Sequence, residues 1–339
     1  MTRTILYYPT IQIKSSKWIK HTILYWDVIG SIVPYDFDYP QYCLEDMLLL
    51  REHGAYRPYH PEDFVQDDYG LCEEFEAIRQ SDEFKALQGG HSFERRDFRV
   101  YLPKINPDLA YRLLNSESVD QDGDWLLFTQ KEGMLYMSLL AKYLADGDEN
   151  AVTIPGTDWG GYQRLAFSIS PSGNYTPALS LKLDSVLPIP RDDVSLQQIL
   201  AFKEKRPKEL IRFRQTILDL QKQLAESRTN SEVQNNLASF SEKMEVGVSD
   251  LVELAKEEKL PLILGTIESA FSMSLPDVIS LAAGAAIDPT VATIGLAGSG
   301  MVKVSKFLID KTNEHRQKLN RDTYSYIYHA QQEGIVNLP

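Results

Sequence analysis

The chain opens with Thr4-Ile-Leu-Tyr-Tyr-Pro-Thr-Ile-Gln-Ile13, whose alternating β-branched and aromatic residues predict a strand that its proline interrupts. Residues 15–30 then place their apolar side chains on one face of a predicted helix, for which Ser15 or Ser16 is the N-cap. A second strand is predicted at Ser31-Ile-Val-Pro34. Strand, helix and strand in such short succession indicate the opening of an α/β or α+β layer.

Further helix and strand signals alternate through the rest of the N-terminal half. A turn is predicted across Pro58-Tyr-His-Pro61. Residues from Asp146 to about Pro177 are predicted to be loops, with strand content around Tyr162–Ser170. The remaining predicted elements are helices at 43–53, 71–87, 107–114 and 132–145, and strands at 95–105 and 125–129.

A domain boundary is predicted near Pro188-Ile-Pro190, because almost everything beyond it has helical spacing. Two apolar stripes with steps of three and four residues predict an antiparallel helical hairpin at 195–258, with a capping box at Ser231-Glu-Val-Gln234 between its arms. The predicted fold class is therefore α+β. A mixed α/β domain at 1–190 is followed by an all-α domain at 191–339, built from the hairpin and a set of Gly/Ala-rich helices.

The most unusual stretch lies at 260–309, which is rich in Gly, Ala and Ser and nearly free of charge. Three prolines that suit first helical positions divide the wider segment 261–318 into three predicted helices. The first two are too short to span a bilayer, and the third carries Lys303 and Lys306. We expect a packed helical core, from which a membrane role requires release. The small residues available for close helix packing or membrane contact are Gly284, Gly295, Gly298 and Gly300.

Composition narrows the class of protein. An apolar content of 43% excludes a disordered chain, and 35 basic against 48 acidic residues give a net charge of −13. Such a field disfavours nucleic-acid binding by the whole surface, because phosphate is repelled. Six basic residues at 203–214 form a local run that is either a patch for phosphate or anionic lipid or the solvated face of a helix. Two cysteines and no secretory signal indicate a cytoplasmic protein, with membrane recruitment as an option.

The N-terminal part of the chain contains Leu6-Tyr-Tyr-Pro9, then Trp18-Ile-Lys20, then Leu24-Tyr-Trp-Asp-Val-Ile-Gly-Ser-Ile-Val-Pro34. Later blocks are Tyr136–Leu144, Ile199–Lys203, Glu209–Arg214 and Tyr324–Tyr328. Together these blocks resemble an uncharacterised bacterial family classed as a domain of unknown function, of which the N-terminal motifs are the hallmark. The resemblance implies a prokaryotic protein, in a mobile or phage-defence gene neighbourhood, and it carries no catalytic residue across.

Scattered carboxylates raise the hypothesis of a metal-dependent nuclease, since acidic groups at strand ends can hold a divalent cation for phosphodiester hydrolysis. The first candidates are Asp27, Glu45, Asp46 and Asp158. Asp120-Gln-Asp-Gly-Asp124 has the start of a calcium-loop pattern, but its glycine and closing glutamate are misplaced, so we predict a turn. We expect no bound metal or cofactor.

Nucleophile–base chemistry has little support in the sequence. His21 lies on the first predicted helix, where it is a catalytic candidate or an ordinary helix residue. Gly295-Leu-Ala-Gly-Ser-Gly300 lacks the Gly-Lys-Ser/Thr of a phosphate-binding loop, so close helix packing is the preferred interpretation. We therefore expect a protein without enzymatic activity.

Aromatic residues are concentrated at the N-terminus, where they suit either an interface or a core. The residues predicted for protein contact are Tyr7, Tyr8, Trp18 and Trp26. We expect a non-enzymatic effector or adaptor that works through a protein partner, in the context of phage defence. The alternatives are a membrane-acting effector that uses 260–309 and the metal-dependent nuclease. Whether the chain forms an oligomer stays open.

Overall fold

A four-stranded parallel sheet forms the centre of the described part of the molecule. The computed structural model describes residues 2–65, 69–85, 95–159, 187–226, 230–257 and 321–336. The strands lie in the order β3-β2-β1-β7, so β1 occupies an inner position and pairs with the distant β7. Their bounds are Thr2–Tyr7 for β1, Val28–Ile32 for β2, Tyr56–Tyr59 for β3 and Ala151–Gly156 for β7.

Strand β1 passes into β2 through helix α1, Ser16–Tyr25. The side chain of Ser15 caps this helix by accepting a hydrogen bond from the backbone N–H of Trp18, which confirms one of the two predicted caps. The predicted helix over 15–30 is too long, because Val28 and Ile29 already pair with β1. Sheet hydrogen bonds replace the last helical turn there, so β2 begins three residues earlier than predicted.

Two strands of the parallel sheet lie where the sequence predicts turns or loops. Strand β3 contains Pro58, and it occupies an edge of the described sheet, where a residue without an N–H is tolerated. Strand β7 lies in the segment predicted to be loop, and its register places Ala151 opposite Thr2 and Gly156 opposite Tyr7. Both predictions were wrong because pairing with a distant strand outweighs local turn signals.

A second, antiparallel sheet has the order β4-β6-β5. Its hairpin turn contains Gly123 at φ +58, a conformation that favours glycine, and this turn accounts for the calcium-like pattern around it. The predicted strand at 95–105 ends early, because Leu102–Lys104 forms a 3-10 turn. The strand bounds are Arg96–Tyr101 for β4, Asp120–Asp122 for β5 and Trp125–Thr129 for β6.

Helices cover both faces of the parallel sheet. With one parallel and one antiparallel sheet, the fold is mixed α/β. The helix after β6 runs from Gln130 to Asp146, close to the predicted 132–145, and Thr129 caps it. That helix is α7 (Gln130–Asp146). The other described helices after α1 are α2 (Glu45–Glu52), α3 (Glu62–Val65), α4 (Tyr69–Gln80), α5 (Asp82–Lys85), α6 (Pro107–Asn115), α8 (Leu196–Lys205), α9 (Pro207–Glu226), α10 (Asn230–Glu257) and α11 (Ser325–Gln332).

The side chains of β1 alternate between two hydrophobic clusters. Ile5 and Tyr7 belong to the cluster that contains α1 and the C-terminal helices, whereas Leu6 and Tyr8 belong to the cluster around α7 and the antiparallel sheet. Tyr326 of α11 donates a hydrogen bond of 2.7 Å to the carbonyl of Leu24. One core thus includes side chains from both sides of residue 190, and the predicted domain boundary there stays a prediction.

The predicted hairpin at 195–258 contains a break. Helix α8 ends at Lys205 and α9 begins at Pro207, whose missing N–H and fixed φ suit a first helical position. Within the described ranges, no helix combines the length and apolar character needed to cross a membrane. The predicted Gly/Ala-rich helices, with Gly284, Gly295, Gly298 and Gly300, and the predicted strand content at 162–170 lie outside the described residues.

Candidate functional site

The carboxyl ends of the four parallel strands lie at one edge of the central sheet, where α/β proteins commonly bind their ligands. Residues 35–42 follow β2, and residues 60–63 follow the neighbouring β3. Together they form what we call the aromatic–acidic surface, which comprises Tyr35, Asp36, Phe37, Asp38, Tyr39, Tyr42, Glu62 and Asp63.

Three tyrosines of this surface expose their rings. The exposed fractions of Tyr35, Tyr39 and Tyr42 are 50%, 53% and 40%. Phe37 lies between them and the antiparallel sheet, with ring centroids 5.5 Å from Tyr42 and 5.2 Å from Tyr101. The rings of Tyr39 and Tyr42 therefore belong to one aromatic cluster with Phe37 and Tyr101, whereas the ring of Tyr35 contacts His60.

A polar network holds Tyr35 in place. Its backbone N–H donates to Glu62 Oε1 at 3.0 Å, and its hydroxyl donates to Asp63 Oδ2 at 2.7 Å. Its ring stacks on that of His60 at a centroid distance of 4.0 Å. The pKa of Tyr35 is raised, chiefly by the hydrogen bond to Asp63. The tyrosine thus remains protonated and ordered while half of it faces solvent.

Asp38 joins this surface to helix α2. It forms an ion pair of 3.0 Å with Arg51 and lies 3.4 Å from Nε2 of His60. Asp36 accepts a hydrogen bond of 2.8 Å from the hydroxyl of Tyr101, which raises the pKa of Tyr101 to about 12. The loop that carries the three tyrosines is therefore anchored to its neighbours on both sides.

The surface carries four carboxylates, one of which, Asp38, pairs with Arg51. The whole segment 35–63, which also contains α2 and β3, has seven Asp or Glu and two Arg, a net charge of −5. Beneath the aromatic–acidic surface, Oε2 of Glu62 is buried without a hydrogen-bond partner among the described residues. Burial lowers the pKa of the nearby Lys104 to about 7, and the Glu62 charge opposes this shift. The arrangement suits recognition of a cationic group, since rings and carboxylates both attract one.

The two aspartates predicted for a nuclease site lie at opposite ends of the sheet. Asp27 precedes β2 and accepts a hydrogen bond from the backbone N–H of Arg3, whereas Asp158 follows β7 and accepts one from the hydroxyl of Tyr7. Arg3 and Tyr7 are four residues apart on β1, or roughly 13 Å at the usual rise per residue. The structure therefore does not bring these two candidates together.

The first turn of α2 contains the other two carboxylates, Glu45 and Asp46, where they complement the helix dipole. Asp27 itself forms an ion pair of 2.8 Å with Arg214. Although burial alone raises its pKa, the Arg214 charge and the Arg3 N–H lower it below the usual value. Across the described residues, no three His, Cys, Asp or Glu side chains are grouped to hold a metal ion.

His21 lies inside the core beside the ring of Tyr25. Burial lowers its pKa to about 4, so the imidazole is neutral at physiological pH. A general base needs contact with a substrate, and this side chain is buried. Its position is that of a core histidine, and the catalytic role stays a prediction.

The four aromatic residues predicted for protein contact, Tyr7, Tyr8, Trp18 and Trp26, are all buried. Tyr7 packs against Trp18 at 5.0 Å, and Tyr8 lies on the opposite face of the sheet. The arrangement offers no exposed ring for the predicted contact. The exposed rings follow β2 instead, in Tyr35-Asp-Phe-Asp-Tyr39, where alternating acidic and aromatic residues next to prolines are the sequence signal of an exposed loop.

The basic run at 203–214 does not form one patch. Arg206 pairs with Glu333 at 2.6 Å, and Arg214 is buried. Lys203 donates a hydrogen bond to the carbonyl of Trp26, and its pKa falls to about 7 through burial and the neighbouring Arg214 charge. Lys205 and Lys208 remain exposed. Three of the six basic residues in this run therefore make contacts within the protein.

One known protein family matches the C-terminal part of the chain. The model of a family described as a family of unknown function, DUF6236, matches residues 133–334, more than half of the chain. The chain belongs to this family. The DUF6236 match begins within α7 and ends just after α11, so the predicted N-terminal hallmark lies outside it. No curated protein and no solved structure matches the chain.

Proposed function

We propose that this protein is a non-enzymatic effector or adaptor that acts through a protein partner, and that the aromatic–acidic surface binds a Lys/Arg-rich segment of that partner. The observation that carries the proposal is the cluster of three exposed tyrosines in a segment of net charge −5. A bacterial setting and a role in phage defence belong to the same proposal.

Two features make a basic segment the best fit. A Lys or Arg side chain gains from lying over a tyrosine ring, by about 0.5–1 kcal/mol at an exposed site. Asp36 and Asp63 accept hydrogen bonds from Tyr101 and Tyr35 and leave further lone pairs for a cationic donor. The hydrogen bonds that order these tyrosines lower the entropy lost on binding.

Capture of binding proteins tests this proposal. The full-length protein, a Tyr39→Ser/Tyr42→Ser variant and a Tyr69→Ser/Tyr111→Ser control are immobilised and exposed to a bacterial lysate. Tyr69 and Tyr111 lie on α4 and α6 and are exposed by 60% and 69%, so the control removes at least as much exposed ring as the test variant does. We expect a protein that is captured by the wild type and the control and lost with the Tyr39/Tyr42 variant. Equal capture by all three would overturn the proposal.

The membrane-acting alternative keeps one observation in its favour, the near absence of charge at 260–309. In this proposal the segment forms part of an all-α C-terminal bundle and leaves it to lie in a bilayer. Flotation with neutral and anionic vesicles tests it, and protein that stays at the bottom of the gradient with both would remove it. The nuclease alternative has less support, because Asp27 and Asp158 lie at opposite sheet ends.

A further inference from the structure

A cleft with two arginines opens at the other end of the sheet, between β1, β7, the end of α1 and helix α9. Its enclosed part has room for about one water molecule, and most of the 310 Å³ around its lining atoms is open to solvent. Arg3 and Arg214 line it together with apolar side chains, among them Trp26, Val152 and Ile154. The cleft therefore combines positive charge with an apolar wall.

Two contacts hold the Arg214 guanidinium in place, and its third nitrogen lacks an acceptor. Its Nε donates to the carbonyl of Tyr25 at 2.6 Å, and its Nη1 pairs with Asp27 at 2.8 Å. Only 8% of the side chain is exposed, and the buried Nη2 has no hydrogen-bond partner among the described residues. A buried N–H without an acceptor is costly, and an anionic ligand atom is the strongest acceptor that can satisfy it.

The charges around the cleft do not balance. Arg214 repels both Arg3 and Lys203, and Asp27 attracts both of them. The pKa of Arg3 is lowered by burial and then by the Arg214 charge, against the attraction of Asp27. The Arg3 guanidinium forms no ion pair with any described residue. One added negative charge would relieve the repulsion.

We propose that this cleft binds a small amphipathic anion, with its carboxylate or phosphate head between Arg3 and Arg214 and its apolar part against Trp26, Val152 and Ile154. The apolar walls disfavour a heavily hydrated multivalent anion. The site lies at the amino end of the sheet, away from the aromatic–acidic surface, so it is independent of the proposed protein contact. A ligand here contacts both the N-terminal strand and the DUF6236 region, which includes Val152, Ile154 and Arg214.

Isothermal titration of the full chain with octanoate and with octyl phosphate tests the proposal, with octanol and octylamine as neutral and cationic matches. We expect saturable binding of at least one of the two anions and none of octanol or octylamine. The two anion arms decide between carboxylate and phosphate. Binding that is equal for octanoate and octanol would overturn the proposal, as would the absence of binding by both anions.

Variants localise the site. Arg3→Gln keeps the backbone N–H that binds Asp27 and removes a half-buried cation, so we expect the fold to be retained. Arg214→Lys keeps the charge near Asp27 but removes the unsatisfied nitrogen. Loss of one charge-assisted contact is expected to weaken affinity about tenfold or more for Arg3→Gln. Arg112→Gln, which removes an exposed arginine paired with Glu76, is the matched control with unchanged affinity. Unchanged affinity in Arg3→Gln would contradict the assignment even if Arg214→Lys unfolds.

Discussion

Arg214 and Asp27 form an ion pair of 2.8 Å that ties helix α9 to the residue before β2. The same guanidinium bonds the carbonyl of Tyr25, at the end of α1. The contact therefore fixes the C-terminal helices against the strand–helix–strand unit with which the chain begins.

Replacing Asp27 is expected to destabilise the fold more than replacing Asp158. Asp27→Asn leaves the buried Arg214 without its carboxylate, which we expect to cost about 1–3 kcal/mol for this partly exposed pair. Asp158→Asn weakens one hydrogen bond from Tyr7 at an exposed position, so a cost below about 1 kcal/mol is expected. Urea unfolding measures both. A larger loss for Asp158→Asn would show that the Arg214 contact is not structural.

Acid should destabilise the protein partly through His21. Its pKa is about 4 in the folded state, because burial disfavours the charged ring, against 6.5 for a solvent-exposed histidine such as that of the unfolded chain. The unfolded chain therefore binds the proton first, and stability is lost as pH falls from 6.5 towards 4, by up to about 3 kcal/mol. His21→Asn should flatten that part of the urea-midpoint profile, while His329, whose pKa is also about 4, keeps its own contribution. If the urea midpoint fell equally with pH in the variant and the wild type, His21 would make no contribution to acid destabilisation.

Lys104 should lower stability at neutral pH. Burial depresses its folded pKa to about 7 from 10.5, so the unfolded chain holds the proton more tightly and stability rises between pH 7 and pH 10.5. Lys104→Met removes the desolvation cost, and a gain of about 2 kcal/mol at pH 7 is expected. Lys205→Met, at an exposed position of α8, is the control with little change. A variant that is less stable at pH 7 would point instead to a strong attraction between Lys104 and Glu62.

Gly247 lets the C-terminal segment dock on α10. A Cβ at this position would overlap Cδ2 of the Tyr324 ring, which lies just before α11. Gly247→Ala gains about 1 kcal/mol of helix propensity but forces the ring to move, at about 1–3 kcal/mol. We expect a net loss in thermal unfolding, with no loss for Val246→Ala at the exposed neighbouring position. A more stable Gly247→Ala variant would mean that Tyr324 moves aside freely.

Local signals in the sequence predict several elements well. The cap at Ser15 and the extent of α7 follow from side-chain chemistry and apolar spacing within one helix, which the sequence displays directly. Strands β3 and β7 could not be predicted in this way, because their partners are distant: β7 lies about 150 positions from β1. For this reason the local turn signals at Pro58 and after Asp146 gave wrong predictions of turn and loop.

The candidate sites show the same division. The loop at 35–42 has a visible aromatic and acidic pattern, but only the fold shows that its rings are exposed while Tyr7 and Trp18 are buried. No pattern in the sequence predicts the cleft. Arg3 and Arg214 lie 211 positions apart in the chain, and only the fold brings them to one cleft.

Site-specific photo-crosslinking tests the central claim most directly. A photoreactive phenylalanine analogue is placed at position 39, on the aromatic–acidic surface, and at position 111, on the exposed control site, and the cells are irradiated. The account predicts a protein adduct from position 39 that is absent from position 111, with the crosslinked peptide rich in Lys and Arg. Adducts that are equal at both positions, or a lack of any adduct at position 39, would contradict it.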